Sequence, residues 1–183
     1  GFLGDNAAIA PLAESLYAED NRGQRRAAVA LCYIIDQTAA LNAVVAKAQE
    51  LGPNAMLAEW LAFANAPAEI VVPLYLRAIN SREATTRWGA VTGLRLMINP
   101  ALADKRYASA TRSALSRALS DPDSRVRFEA VTAIQQAPDE RTVAKLAELA
   151  ASDPVSRVRN AAASVLREIR AGKSPPPALA EKR

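Results

Sequence analysis

Few residues in this chain are equipped for chemistry. Among its 183 residues there is no histidine and one cysteine, Cys32. Without an imidazole there is no ready general base, metal ligand or pH switch, which removes His-dependent triads and most zinc or iron sites. One cysteine can form neither an intrachain disulfide nor a Cys-based zinc site. Seven scattered glycines leave no G-x-G-x-x-G or G-x-x-x-x-G-K-S/T loop to cradle a nucleotide. Two groups of neighbouring carboxylates, Glu14/Glu19/Asp20 and Asp121/Asp123, fall at turn and cap positions, where accepting backbone N–H groups accounts for them. The sequence therefore implies no catalytic residue, no metal, no cofactor and no enzyme.

Arginine and tryptophan remain. Eighteen of the 23 basic residues are arginine, whose planar guanidinium suits bidentate recognition of carboxylate or phosphate. The net charge of +4 is uneven: residues 1–99 hold 8 basic and 9 acidic side chains, residues 100–183 hold 15 and 10. A nucleic-acid binder carries a denser basic stripe, so this balance does not favour such a partner. The two tryptophans, Trp60 and Trp88, are either core residues or anchors for a partner, since large aromatics are enriched at binding hot spots. No apolar run approaches the ~20 residues of a membrane span.

The elements that must position these residues are helices. Half the residues are hydrophobic but only 5% are aromatic, and alanine fills roughly 40 positions. Alanine loses no side-chain entropy in a helix, whereas strands favour β-branched and aromatic residues. Turn signals cut the chain into ten helical stretches. Asp5-Asn6 opens the first, ending near Ala18, and Asp20-Asn21 the second, with Asn21 and Gln24 at capping-box spacing. The third follows Asp36 and stops at Gly52-Pro53; the fourth covers Asn54 to Ala64, and the fifth Ala68 to Ile79. Ser81 caps a sixth from Arg82 to Met97, closed by Asn99-Pro100. The seventh lies within Lys105–Leu119, the eighth starts at Asp121-Pro122, the ninth runs from Asp139 to Ala151, and the tenth follows Asp153-Pro154 to Arg170. Residues 171–183, with Pro175-Pro176-Pro177, read as a disordered tail.

Ten helices in five pairs invite a search for repeats. Asp121-Pro122, Val126-Arg127, Ala130 and Ile134 match Asp153-Pro154, Val158-Arg159, Ala162 and Leu166 at a constant offset of 32. Arg87, Ala90 and Leu94 fit the same frame, as do Arg25, Ala28 and Cys32, and a weaker repeat places Ala58 between them. The result is a column of small residues: Ala28, Ala58, Ala90, Ala130 and Ala162. Two helices cannot bury both their faces, so each pair must stack on the next, and a fixed small residue lets the neighbours approach.

The pattern Asp-Pro-x-x-x-Val-Arg-x-x-Ala-x-x-x-Leu resembles the HEAT-like repeat family. The resemblance is strong over residues 119–170, fair over 67–97 and 5–35, and poor over 38–65, where no arginine stands near position 55. It implies an all-α solenoid of about five antiparallel helix pairs, with repeats near 5–35, 38–65, 67–97, 104–137 and 139–170. It also implies a structural ladder between repeats in which arginine pairs with a turn aspartate: Arg127 and Arg159 with Asp121 and Asp153, and, less fully matched, Arg25 and Arg87. Second helices then line the concave surface, which nominates Trp60, Leu57, Thr92, Glu129 and Thr132 for partner contact. Gly1-Phe2-Leu3-Gly4-Asp5 looks like a junction between repeats, whereas the last helix is polar on several sides; the expectation is a carboxyl-terminal part of a larger protein.

The functional expectation is a non-catalytic scaffold holding another protein or another domain of the same polypeptide. Two alternatives stand beside it. Residues 86–137 resemble HEAT-like regions appended to some bacterial sulfatases, although the sulfatase nucleophile motif and calcium ligands are absent. Some HEAT-like solenoids bind DNA, which the basic carboxyl half permits.

Overall fold

A computed structural model describes residues 6–172, and all the regular structure among them is helical. The expected repeat junction at residues 1–5 and the proline-containing tail, Ala171 and Gly172 apart, lie outside the described residues. The chain divides into two compact units, residues 1–96 and 97–183.

The first unit starts with a 3-10 turn, Asn6–Ala8, and continues through α1 (Ile9–Ser15), α2 (Asn21–Cys32), α3 (Gln37–Leu51), α4 (Ala55–Phe63), α5 (Ala68–Ala78) and α6 (Ala84–Leu96). The second holds α7 (Ile98–Ala103), α8 (Lys105–Ala118), α9 (Ser124–Gln136), α10 (Glu140–Ser152) and α11 (Ser156–Arg170). Short acidic and amide side chains start many of these helices by accepting from the first-turn amides, each worth about 1 kcal/mol. Asp36 accepts from Ala39 N, Asn54 from Leu57 N, Asp104 from Arg106 N and Asp123 from Arg125 N. Asp139 and Thr142 form a reciprocal capping box.

Three boundaries differ from expectation. The cap of α2 is Asp20, which accepts from Gly23 N; Asn21 is already helical, and Gln24 is used elsewhere. α6 begins at Ala84 rather than Arg82, because the Ser81 hydroxyl accepts from Glu83 N in the turn before it. Asn99-Pro100 does not end the helical path but lies in the first turn of α7, where a missing proline N–H sacrifices no intrahelical bond. Ile98 and Ala101 bury this extra helix, which packs on α8. It accounts for the longer spacing between Arg87 and Arg127 than between Arg127 and Arg159.

In the first unit α1 packs on α2 and α3, α4 on α2 and α6, and α5 on α3 and α6. In the second, α8 packs on α9, while α9 and α10 both pack on α11. Ala58, Ala90, Ala130 and Ala162 of the small-residue column are fully buried. In α2 the buried pair is Ala27 and Leu31; Ala28 and Cys32 are half-exposed. The register of the first repeat therefore lies one residue earlier than the arginine match suggested. The tandem Arg25-Arg26-Ala27-Ala28 fits either frame, and burying the large Leu31 in place of the smaller Cys32 decides between them.

Two glycines in α6 mark the tightest approach in the first unit. A Cβ on Gly89 would stand 2.3 Å from the Pro53 carbonyl oxygen and 2.7 Å from the Asn54 backbone, and one on Gly93 would stand 2.3 Å from the Tyr75 ring. Gly89 thus lets α6 lie against the turn before α4, and Gly93 makes the slot for Tyr75 of α5. Gly89→Ala is expected to destabilise the chain by about 1–3 kcal/mol through overpacking, because rigid backbone blocks the new methyl. Urea unfolding of the variant against wild type would measure it, and an unchanged midpoint would contradict the close approach.

Candidate functional site

One side-chain arrangement recurs at the start of the second helices. Three residues before the buried alanine, a long polar side chain reaches back to the carbonyls of the preceding turn. Arg127 Nη1 donates to Asp121 O (2.8 Å) and Pro122 O (3.0 Å). Arg159 Nη1 donates to Asp153 O (2.7 Å) and Pro154 O (3.2 Å), and Arg87 Nη1 to Ser81 O (3.1 Å) and Arg82 O (2.9 Å). In α2 the position belongs to Gln24, whose Nε2 donates to Ala18 O at 2.7 Å. Arg25, one residue out of frame, is exposed and does not take the ladder position assigned to it.

The ladder itself joins one turn to the next. Arg127 takes the carboxylate of the following turn, Asp153, and reaches the backbone oxygen of Asp121 in its own. Its Nε and Nη2 hold the two carboxylate oxygens of Asp153 at 2.7 and 3.0 Å, both side chains buried. Asp153 also accepts from Val155 N, and Arg159 uses the backbone oxygen of Asp153, leaving its carboxylate to Arg127. A bidentate pair with its remaining valences satisfied is the geometry in which a buried ion pair offsets its desolvation. Where α4 offers Ala55 at the ladder position, other groups tie the repeats. Asn54 Nδ2 donates to Leu16 O (2.9 Å) and the Tyr17 hydroxyl to Gly52 O (2.7 Å).

The nominated partner-contact residues divide. Leu57 and Thr92 are core residues and offer no surface. Glu129 and Thr132 are half-buried on α9, with the Thr132 hydroxyl donating back to Phe128 O. Trp60 is only 2% exposed, and its indole Nε1 is buried without a hydrogen-bond partner, so packing alone holds the ring. It nevertheless forms the floor of an apolar groove between α2 and α4, of about 560 Å³. Ala28, Val29, Cys32 and Tyr33 line one wall; Met56, Glu59 and Phe63 line the other. Phe63 is 72% exposed, Tyr33 61% and Val29 57%. The Cys32 thiol donates to Ala28 O. The groove was missed at the sequence level because, with α2 one residue out of frame, Val29 and Tyr33 did not fall opposite Trp60 and Phe63.

Counting from the buried alanines, six of the eight lining positions are polar in α9 and α11, Ala28 and Glu59 matching Val131 and Ala163. Val29, Cys32 and Tyr33 correspond to Thr132, Gln135 and Gln136; Met56, Trp60 and Phe63 correspond to Asn160, Ser164 and Arg167. There Gln135 Nε2 donates to the Glu168 carboxylate at 2.5 Å, and the Arg157 guanidinium lies 4.1 Å from the centre of the Phe128 ring. The apolar lining of the α2–α4 groove is therefore not a requirement of the repeat. Among the described residues, no group of three or more His, Cys, Asp or Glu side chains is placed to hold a metal ion, and no helix is long and apolar enough to cross a membrane.

The ladder sets a pH dependence. Its hydrogen bonds from Arg127 hold the Asp153 carboxyl below the ordinary 3.8, and Arg125 brings Asp123 to about 2. Unfolding releases both carboxyls to bind protons at higher pH, so their contribution is complete above about pH 4 and is lost as pH falls toward the folded-state values. Asp153→Ala is expected to cost about 3–5 kcal/mol, since it strands a buried guanidinium, and Asp123→Ala about 1 kcal/mol through the lost cap. Denaturant titrations at pH 7 and pH 3 would check both: each difference should narrow at the lower pH.

The sequence matches the family model for HEAT repeats over residues 71–167, just over half of the chain. No curated protein matches it. Among solved structures, the crystal structure of an engineered protein from the Northeast Structural Genomics Consortium is 21% identical, with a TM-score of 0.50, covering 91% of this chain and 81% of that one. A second engineered protein from the same consortium is 19% identical with a TM-score of 0.49, covering 93% and 88%. At this identity the first likeness concerns the fold alone, an all-helical repeat architecture, and it agrees with the pairing of helices and the recurring turn-to-helix bonds described above. The chain belongs to the HEAT-repeat family.

Proposed function

We propose that this chain is a non-catalytic interaction scaffold and that its partner, another protein or another domain of the same polypeptide, seats in the α2–α4 groove. HEAT repeats are typically protein-interaction scaffold elements. In this reading the stacked units lie near residues 5–35, 38–65, 67–97, 104–137 and 139–170. The observation that carries the reading is the exposure of Val29, Tyr33 and Phe63 over a tryptophan floor between α2 and α4, at positions where α9 and α11 carry Thr132, Gln136 and Arg167. Apolar side chains left in water at positions where the repeat tolerates Thr, Gln and Arg gain nothing for folding; covering them with a partner does. The preformed groove requires little ordering on binding, which favours affinity.

Trp60 supports the groove rather than forming its contact surface, so truncating it would test stability and binding together. Tyr33→Ser with Phe63→Ser separates the two. Both side chains are mostly exposed, so the double variant should keep the wild-type unfolding midpoint while binding a partner isolated with the wild-type chain at least about 10-fold more weakly, a loss of about 1.4 kcal/mol or more. Calorimetric titration measures it. Unchanged affinity would move the docking face elsewhere.

A further inference from the structure

We infer that the occupant of the groove is an amphipathic helix whose apolar stripe is flanked by acidic residues, an inference that rests on the groove being the docking face. Two features specify this chemistry.

The first is backbone economy. The groove walls are helices whose N–H and C=O groups bond within themselves, and the floor offers no polar group to a ligand: the Cys32 thiol is already bonded to Ala28 O and the Trp60 indole N–H is buried. An extended segment laid on this floor would strip water from its own amides and carbonyls without replacing it. A helix brings those groups already satisfied and presents only side chains, at i, i+3, i+4 and i+7.

The second is charge at the edge. A further hollow of about 420 Å³ on α2 is lined by Arg25, Arg26, Val29, Ala30 and Tyr33. It shares Val29 and Tyr33 with the groove, so apolar surface continues from Trp60 and Phe63 to two guanidinium groups, both residues exposed. The opposite wall carries one charge, the exposed Glu59. The rim is thus net basic and complements carboxylates beside an apolar stripe. Arginine stems alongside Val29 and Tyr33 extend the apolar contact while their heads stay in water.

The test uses the full chain labelled with nitrogen-15, in which Trp60 and Trp88 provide two indole N–H signals, assigned with Trp88→Phe. The probes are two synthetic helical peptides of about 14 residues, roughly 21 Å long. They carry the same Leu and Phe stripe but differ in having Glu or Lys on both flanks. The acidic-flanked peptide should shift the Trp60 signal and bind at least about 10-fold more tightly at low salt, with the gap narrowing near 0.5 M salt as screening grows. Arg25→Glu with Arg26→Glu should reverse the preference, and both positions are exposed, so the variant should fold. If both peptides shift Trp60 equally, or if the preference survives the charge reversal, the acidic-flank inference fails while the groove stands. If neither peptide affects Trp60, both fail. Sedimentation that finds a dimer of the free chain, abolished by Tyr33→Ser with Phe63→Ser, would replace the helical partner with a second copy of this chain.

Discussion

Each turn that joins two helices leaves carbonyl groups without a helical partner, and the structure depends on how those carbonyls are held. The recurring answer is a long polar side chain placed three residues before a buried alanine, in the first turn of the second helix. It bonds the carbonyl six residues back in Gln24, Arg87, Arg127 and Arg159, and in the three arginines also the carbonyl five residues back. This one contact fixes the turn against the helix it introduces. Glutamine suffices for it. Arginine adds a second edge, and in Arg127 that edge reaches the Asp153 carboxylate of the following turn. Holding one turn and linking two turns are therefore separable tasks that a single guanidinium performs together.

Close packing is the other half of the constraint, and it is met in different ways along the chain. The buried alanines suffice in α4, α9 and α11. In α6 the alanine is flanked by Gly89 and Gly93, because the turn before α4 and the ring of Tyr75 come closer than any side chain permits. Tyr75 is consequently enclosed, and burial pushes its phenol well above the ordinary range, with the neighbouring Tyr17 adding to the effect. The segment that holds α3 and α4 has Ala55 at the ladder position, and there Asn54 and Tyr17 reach backbone oxygens. Its poor match to the repeat pattern thus has a structural counterpart: a different set of donors does the same job.

Much of the helical framework was legible because it follows from local rules. Asp36, Asn54 and Asp139 cap helices where the sequence places their starts, short acceptors before apolar periodicity. The failures share a cause. The frame of α2 was set by matching arginine to arginine, but the fold places glutamine there, and the packing of Leu31 outweighed the likeness of charge. The ladder pair joins residues 26 apart, so only the resemblance, and no spacing within one repeat, pointed to it. α7 escaped notice because Asn-Pro reads as a stop, although proline in a first turn costs a helix nothing.

The groove was hidden for a deeper reason. Repeat patterns record what the fold must bury, so the positions that vary between repeats carry no signal in the pattern itself. The contrast becomes visible once each helix is indexed to its buried alanine. Thr132, Gln135, Ser164 and Arg167 then stand where Val29, Cys32, Trp60 and Phe63 stand in the first unit. The same scaffold thus accepts opposite linings, and at the exposed positions Val29, Tyr33 and Phe63 folding gains nothing from an apolar side chain. A property that folding does not require and that water opposes calls for another cause, and cover by a partner supplies one. On that argument the informative residues of this chain are those at which its repeats disagree, while those on which they agree describe only how it stands.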